Sequence, residues 1–168
     1  LMPTNLYGRG DNYHKDNSHV LPGLLDRFHN HAENQTKSIY CWGTGNPRRE
    51  FLHVDDLSEA CLFCLENWDP NSPHAPKDKR GNPLTLLNVG TGIDITIKDL
   101  AEIISKITKF KGEIIWDKTK PDGTFQKLLN VSRLSSLGWK AKINLTEGIK
   151  MTYLDYKNEL RNNNLRVN

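Results

Sequence analysis

Short apolar runs of strand length alternate along this chain with longer segments whose apolar residues recur every three to four positions. Runs of four to six residues bounded by turn residues are typical of buried strands, and the longer repeats predict amphipathic helices. The predicted strands cover 38–42, 49–54, 86–89 and 113–116. The predicted helices cover 19–33, a segment from Asp55 or Asp56, a segment from Ile97, 132–137, and a segment from Asn144 to about Leu160. This order predicts an α/β fold of short strands with flanking helices.

The helix starts are predicted from residues that can cap a helix. Asn17 or Ser18 is expected to cap the first helix, and Thr96 with Asp99 resembles a capping box. Asn144 is predicted to cap the last helix. The second helix should bury one face, with the inward residues Leu57, Ala60, Cys61, Cys64 and Leu65.

The length of 168 residues predicts one domain, and 36% apolar against 26% charged residues predicts no transmembrane span. No secretory leader is recognisable, so we expect a cytoplasmic protein. The net charge of +3 is too small for a nucleic-acid footprint but would favour an anionic small molecule. The opening, Leu1 to Gly8, is typical of a strand cut in the middle, which predicts the C-terminal half of a longer protein; a native short arm is the alternative.

Each of the three Gly-x-Gly pairs would be a dinucleotide fingerprint only with a third glycine three residues further on. Tyr13, Arg48 and Ile95 stand at those positions, so the pairs are interpreted as tight turns. Cys61 and Cys64 are interpreted as core residues rather than as a redox or metal motif.

Tyr153 and Lys157 have the spacing of a hydride-transfer site, yet their near-terminal polar helix favours chance surface chemistry. The remaining candidates suit an anionic ligand, because guanidinium groups bind diphosphates through paired hydrogen bonds and aromatic faces stack on bases or sugars. They are Arg27, Arg48, Arg49, Lys120, Lys127 and Trp42. His19, where a loop enters a helix, could serve as a general acid or base. Ordinary solvated charges and a capping histidine are the alternatives.

Six strings in fixed order closely resemble one family, the GDP-L-fucose synthases of the extended short-chain dehydrogenases. The strings are Pro3-Thr4-Asn5-Leu6-Tyr7-Gly8, Asp11-Asn12 with Asn17-Ser18-His19-Val20, Trp42-Gly43-Thr44-Gly45, Arg49-Glu50-Phe51-Leu52-His53-Val54-Asp55-Asp56, Asn88-Val89-Gly90-Thr91-Gly92 and Lys120-Pro121-Asp122-Gly123-Thr124. The resemblance covers residues 1–168 as the C-terminal, substrate-binding half of a Rossmann-type enzyme.

This resemblance implies an enzyme that epimerises C3 and C5 of GDP-4-keto-6-deoxy-D-mannose and then reduces C4 with NADPH, giving GDP-L-fucose. Pro3, Thr4, Asn5, Leu6 and His19 would contact the cofactor NADP, with His19 as the acid of the epimerisation. The GDP-sugar contacts would come from Arg27, Trp42, Arg49, Asp122 and Lys127. We also expect no metal, no nucleic acid and no membrane partner from the residues themselves, and the resemblance implies a homodimeric parent.

Departures from the family pattern limit what the chain is expected to do alone. The glycine fingerprint, the reducing Tyr-x3-Lys and the cysteine base of the family have no matching segment here, and Arg9-Gly10 replaces the usual residues after Tyr-Gly. We therefore expect no hydride transfer from these 168 residues. The alternatives are another nucleotide-sugar epimerase or dehydratase of the superfamily, and a non-catalytic nucleotide-sugar binding module.

Overall fold

In the computed structural model, which describes residues 1–167, eight short strands alternate with five helices. The strands are β1 (Met2–Pro3), β2 (Asn5–Tyr7), β3 (Ser38–Trp42), β4 (Arg48–His53), β5 (Asn88–Val89), β6 (Asp94–Thr96), β7 (Glu113–Asp117) and β8 (Gln126–Lys127). The helices are α1 (Val20–Glu33), α2 (Val54–Asn67), α3 (Ile97–Thr108), α4 (Ser132–Ser136) and α5 (Leu145–Arg161). The predicted α/β class is confirmed. Within residues 1–167, no helix combines the length and the apolar character that crossing a membrane requires.

Strand β4 organises the chain, because three other strands pair with it. It runs parallel to β2, where Tyr7 lies opposite His53, and parallel to β8, where Arg49 lies opposite Lys127. Strand β6 joins it in the antiparallel sense. Strands β3 and β7 form a second parallel pair, and β1 and β5 a third. Within the described residues, four of these five pairings are therefore parallel.

Two apolar cores lie on opposite sides of β4. The larger core, between α1, α3 and α5, contains Phe28, Ile104 and Tyr156 and receives Phe51 from β4. The smaller core contains Val89 and Trp139 and receives Leu52. Adjacent residues of a strand point to opposite faces, so Phe51 and Leu52, which are neighbours on β4, enter different cores.

The predicted capping residues of α3 and α5 are confirmed. The Thr96 hydroxyl oxygen accepts the Asp99 backbone N–H at 3.0 Å, and Asn144 Oδ1 accepts the Glu147 N–H at the same distance. Each side chain thereby satisfies a backbone donor that the first turn of a helix leaves unpaired.

The predicted cap of α1 is wrong. His19, with φ −67° and ψ 164°, is the N-cap, and α1 begins at Val20. The Asn17 N–H binds His14 Nδ1 at 3.2 Å and the Ser18 N–H binds the His14 carbonyl at 3.1 Å, so both belong to the preceding turn.

The buried face of α2 differs from the prediction at two positions. Cys61 and Leu65 are exposed, Leu65 by 84%. The helix instead buries positions four residues apart, which are Asp56, Ala60 and Cys64. The Asp56 carboxylate accepts the backbone N–H groups of residues 142 and 143 at 3.1 and 3.0 Å, and this contact fixes the rotation of the helix.

Tyr153 was predicted to lie on the surface, and this is also wrong. Only 9% of Tyr153 is exposed, and its hydroxyl lies 3.0 Å from His29 Nδ1 in the larger core. Lys157 Nζ lies 4.7 Å from the centre of the Tyr153 ring. The pair thus shares one face of α5, but the phenol is used in packing.

The predicted strand boundaries hold to within one or two residues. β3 spans the predicted range, β4 begins one residue earlier than predicted, β7 ends one residue later, and β5 is reduced to Asn88–Val89. The strand predicted within residues 1–8 is divided into β1 and β2, and the short strands β6 and β8 were not predicted.

Glu50, at the centre of β4, joins segments that are distant in the sequence. Its side chain is fully buried and accepts the N–H groups of Gly92 at 2.7 Å and Leu129 at 2.9 Å. A Cβ at position 90 would collide with Glu50 Oε1, so glycine permits the close approach. The buried carboxylate is therefore satisfied by backbone donors from two loops.

Glu50→Gln should lower the free energy of unfolding by about 1 to 3 kcal/mol, because an amide NH2 cannot accept the N–H that one carboxylate oxygen now accepts. Urea unfolding at constant m-value measures the loss. The matched control is Glu113→Gln, which removes an exposed carboxylate from β7. Equal stability of the two variants would contradict the role given to Glu50.

Candidate ligand-binding site

His19 lies where two cavities meet. The first, called the loop cavity, has a volume of about 550 Å³ and is lined by residues 4–12 together with Asn17, His19, Val54 and Arg166. The second, called the helix cavity, has about 780 Å³ and lies between α1 and β3. His19 lines both cavities and is therefore next to a molecule bound in either one.

The loop cavity begins at the end of β1 and follows β2. Thr4, Asn5 and Leu6, three of the predicted cofactor contacts, line it. Pro3 instead pairs with Val89 in the β1–β5 ladder and is not part of the lining. The hydroxyl of Thr4 and the amide of Asn5 both donate to the Glu50 carbonyl, at 3.3 and 2.8 Å. These side chains therefore hold the cavity wall in place.

The loop between β2 and α1 is fixed by its own polar groups. The Asn12 N–H donates to Asp11 Oδ1 at 2.8 Å, and the His14 N–H donates to Asn12 Oδ1 at 2.9 Å. The Tyr13 N–H binds the Arg166 carbonyl at 2.9 Å, which brings the C-terminal segment against the loop. His19 makes no capping hydrogen bond through its side chain, so α1 does not occupy its imidazole.

Arg27 and Trp42, two of the predicted substrate contacts, line the helix cavity with His19. The Arg27 guanidinium donates to the Tyr40 carbonyl on β3, which fixes its position. Trp42 is 72% exposed, and Lys120 Nζ lies 5.7 Å from the centre of its ring. Lys120 thus lies over one face of the Trp42 ring, and Arg27 is the cation that lines the cavity with Trp42.

Cys41, which precedes Trp42 on β3, also lines the helix cavity. Burial raises the pKa of the Cys41 thiol, and the nearby Arg27 charge opposes this effect. The thiol is therefore mainly protonated at neutral pH and adds no negative charge to the wall.

Arg49, Asp122 and Lys127 line neither cavity. Arg49 Nη1 donates to the carbonyls of Arg48 at 2.7 Å and Thr124 at 2.6 Å, and Lys127 lies opposite Arg49 in the β4–β8 ladder. Asp122 accepts two hydrogen bonds from Thr44, two residues after Trp42. The structure thus places His19, Arg27 and Trp42 around the helix cavity. Arg49, Asp122 and Lys127 lie outside both cavities.

Arg48 has a structural role. Its Nη2 lies 2.7 Å from Asp94 Oδ1, and its Nε donates to the same carboxylate at 2.8 Å. The ion pair links β4 to β6.

Three charged residues that line the loop cavity were not among the predicted contacts. Arg9 and Asp11 were named only in the comparison with the family pattern, and Arg166 lies after α5, where no element was predicted. Arg166 could not be found from local sequence, because the backbone contact to Tyr13 brings it to the cavity from the far end of the chain.

Comparison with known proteins identifies the relatives of this chain. The NAD dependent epimerase/dehydratase family matches residues 1–75. GDP-L-fucose synthase 1 of Arabidopsis thaliana is 47% identical over 152 residues, which cover 90% of this chain and 43% of the plant protein. GDP-L-fucose synthase of Escherichia coli K12 is 46% identical over 157 residues, covering 91% of this chain and 46% of the bacterial protein.

A solved structure of similar fold is the GDP-mannoheptose C4 reductase of Campylobacter jejuni with NADP bound. It has a TM-score of 0.76 and 34% identity, and the match covers 92% of this chain and 51% of that protein. The chain spans less than half the length of the two GDP-L-fucose synthases that it matches. The resemblance to the GDP-L-fucose synthases is confirmed, because two relatives that are 46 and 47% identical to this chain bear that name.

Proposed function

We propose that this chain is the substrate-binding half of a GDP-L-fucose synthase, residues 1–168 lacking the dinucleotide-binding half. The whole enzyme would convert GDP-4-keto-6-deoxy-D-mannose to GDP-L-fucose by epimerising C3 and C5 and reducing C4. The single observation that carries the proposal is the position of His19 between the loop cavity and the helix cavity. The names of the relatives, at 46 and 47% identity, support the choice of substrate.

His19 would act as the acid of the epimerisation. The C4 carbonyl of the substrate acidifies the neighbouring C–H bonds, and inversion requires a proton to return to the opposite face of the carbanion. An imidazole can donate that proton near neutral pH, provided that it reaches the carbon atom. Because α1 leaves the His19 side chain without a capping hydrogen bond, its ring can face a bound sugar.

The GDP portion would bind along the helix cavity. Arg27 has guanidinium donors beyond the one that binds the Tyr40 carbonyl, and these suit a diphosphate. Trp42 presents an exposed ring beside Lys120 for stacking against a base or sugar. Arg49, Asp122 and Lys127 would contact the nucleotide where it extends past the turn after β3.

The loop cavity suits the nicotinamide end of NADPH, which would supply the hydride for C4. Its wall is fixed by the Thr4 and Asn5 contacts to Glu50, so Leu6 and the backbone of residues 4–10 form a rigid surface for a flat ring. The sequence contains no complete glycine fingerprint for the remaining dinucleotide, which would be held by the other half. The NADP-bound reductase of related fold supports this assignment.

The proposal extends to the parent enzyme, which would be cytoplasmic and homodimeric and would bind no nucleic acid or membrane. A second candidate is a related GDP-sugar C4 reductase, favoured by the 34% identity to the mannoheptose enzyme. The two candidates share the GDP site and differ in the sugar, so the sugar specificity separates them.

A hydrogen-bonded clasp shapes the proposed nucleotide end. Asp122 Oδ1 accepts the Thr44 N–H at 2.8 Å, and Oδ2 accepts the Thr44 hydroxyl at 2.6 Å. Gly43 has φ +77°, and a Cβ there would collide with Asp122 Oδ1. The hydroxyl of Thr44 and its backbone N–H lower the pKa of the Asp122 carboxyl. The clasp therefore joins the turn after β3 to the loop before β8.

Arg27→Ala should weaken binding of GDP to this chain by about 1.5 to 3 kcal/mol, as for a lost hydrogen bond to a charged group. Isothermal titration calorimetry measures the dissociation constant. Arg133→Ala, an exposed arginine on α4, is the matched control and should bind as the parent chain does. Arg49→Ala is a poorer test, because Arg49 also anchors the Thr124 carbonyl.

Equal affinity of the Arg27→Ala and Arg133→Ala chains would contradict the diphosphate site. Titration with UDP in place of GDP tests the base, and we expect weaker binding of UDP. Equal binding of the two nucleotides would favour a nucleotide-sugar enzyme of different specificity.

Thr44→Val should raise the pKa of Asp122 toward its ordinary value, because it removes the hydroxyl that stabilises the carboxylate. Since the folded pKa is below the unfolded one, the clasp stabilises the fold above the unfolded pKa and is lost as the pH falls through the folded value. Carboxyl carbon NMR measures the titration. Thr119→Val is the control: it should raise the pKa of Asp117, which Thr119 lowers in the same manner, and leave Asp122 unchanged. A change in the pKa of both Asp117 and Asp122 in either variant would contradict two separate contacts.

The 168-residue chain with GDP-4-keto-6-deoxy-D-mannose should oxidise no NADPH, because the reducing Tyr-x3-Lys segment of the family has no counterpart in the described site. Tyr153, the tyrosine of the chain's own Tyr-x3-Lys pair, is buried against His29. Loss of NADPH absorbance at a rate above that of a protein-free control would contradict the expectation that this chain transfers no hydride by itself.

A further inference from the structure

A third cavity, called the basic pocket, lies at the other end of β3 from Trp42. It has a volume of about 570 Å³, within the range of small-molecule sites, and is lined by residues of two segments, 31–37 and 109–112. These segments join α1 to β3 and α3 to β7. His31 also lines the helix cavity, so the two cavities are neighbours along α1.

The lining of the basic pocket is positively charged. Lys37 comes from the first segment, and Lys109 and Lys111 come from the second. Within residues 1–167, no acidic residue lines the pocket, and none of these three ammonium groups is part of an ion pair. Glu33 and Glu113, the acidic residues nearest to the lysines in the sequence, lie outside the lining. The charge of the pocket is therefore open to an anion.

Close contacts hold the two segments together. The His31 Nδ1 lies 2.7 Å from the Thr36 hydroxyl, and the Glu113 N–H donates to the Lys37 carbonyl at 2.9 Å. A Cβ at Gly112 would collide with the carbonyls of Thr36 and Lys37, each at 2.7 Å. The lysines are thus brought together by a packed wall.

Two residues of the lining have a left-handed backbone conformation. Gln35 has φ +49° and Lys109 has φ +61°. Glycine is the usual residue in this conformation at the end of a helix, because a Cβ is strained there. Within residues 1–167, the remaining non-glycine residue with positive φ is Asn163, and asparagine tolerates this conformation better than most residues. The chain therefore accepts strain at two positions whose side chains line the basic pocket, which indicates a role for those side chains.

The ends of the helices offer another explanation of the lysines. The carboxyl end of a helix carries a partial negative charge that a nearby cation stabilises. Lys106 already lies in the last turn of α3, so Lys109 and Lys111 exceed what that helix end requires.

We propose that the basic pocket binds an oligophosphate, an anion of two or more linked phosphate groups. Ammonium groups bind phosphate oxygens as point charges, and three of them around one space match a chain of phosphates better than a single one. The pocket is separate from the proposed GDP site, because Arg27 and Trp42 do not line it. The proposal does not rest on the proposed function.

Calorimetric titration of this chain with inorganic triphosphate tests the site at low ionic strength, since salt screens exposed charges. Lys37→Gln, Lys109→Gln and Lys111→Gln should each weaken binding by about two- to fivefold, the size expected for exposed charges. Lys150→Gln, at an exposed position of α5 outside the pocket, is the matched control. Equal affinity of all four variants would overturn the proposal.

Lys109→Gly separates ligand binding from the support of the helix end. Glycine relieves the left-handed strain, so the urea midpoint should rise, whereas triphosphate binding should weaken because an ammonium group is lost. Asn163→Gly is the control: it changes a left-handed residue outside the pocket and should leave binding unchanged. A Lys109→Gly chain that binds triphosphate as tightly as the parent chain would overturn the proposal.

The ligand is defined by titrations in the Arg27→Ala chain, which limits binding of phosphates in the helix cavity. Sulfate should bind more weakly than triphosphate, and equal binding would overturn the choice of an oligophosphate. Tighter binding of ATP than of triphosphate would support a nucleotide as the source of the phosphates, and weaker binding would support a free oligophosphate. An affinity for GDP that does not depend on Arg27 would contradict the proposed function and leave this site unaffected.

Discussion

The site depends on the hydrogen bonds made by one buried residue, Glu50. Its carboxylate accepts backbone N–H groups from the loop after β5 and from Leu129, and its carbonyl accepts the side chains of Thr4 and Asn5. Three segments that are distant in the sequence therefore meet at one position of β4. Because Phe51 and Leu52, the next two residues, enter different cores, any displacement of Glu50 is transmitted to both sides of the strand.

These and neighbouring hydrogen bonds hold the wall of the loop cavity. Thr4 and Asn5 use their polar groups to hold the wall, and the Tyr13 contact to the Arg166 carbonyl holds the loop before α1. His19 follows that loop directly and ends it as the N-cap of α1. The backbone of His19 is thus held between the loop and α1, while its side chain makes no capping hydrogen bond.

The sequence predicted those parts of the structure that local chemistry determines. Thr96 and Asn144 cap their helices as expected, because a capping side chain acts on a backbone group only three residues away. β3 was predicted because its short run of residues is ended by a cluster of turn residues, which is also a local feature. The resemblance identified His19, Arg27 and Trp42, which the structure gathers around one boundary.

The errors arose where distant contacts decide the outcome. The rotation of α2 follows from the Asp56 contact to residues 142 and 143, so the apolar pattern alone wrongly placed Leu65 inside. Tyr153 is buried because α5 packs against His29 on α1, which no local pattern indicates. The two-residue strands exist only through their partners, since so short a segment carries no period of its own.

The cations of the candidate site are held by the protein before a nucleotide binds. Arg27 binds the Tyr40 carbonyl, and Arg49 binds the carbonyls of Arg48 and Thr124, so each guanidinium gives up part of its donor capacity to fix its position. A long side chain that is already ordered loses less conformational entropy when it binds a ligand. On the proposed function, the remaining donors of Arg27 would bind a diphosphate at a lower entropic cost than a mobile lysine would. Recognition would then depend on the placement of the cation more than on the net charge, which is only +3.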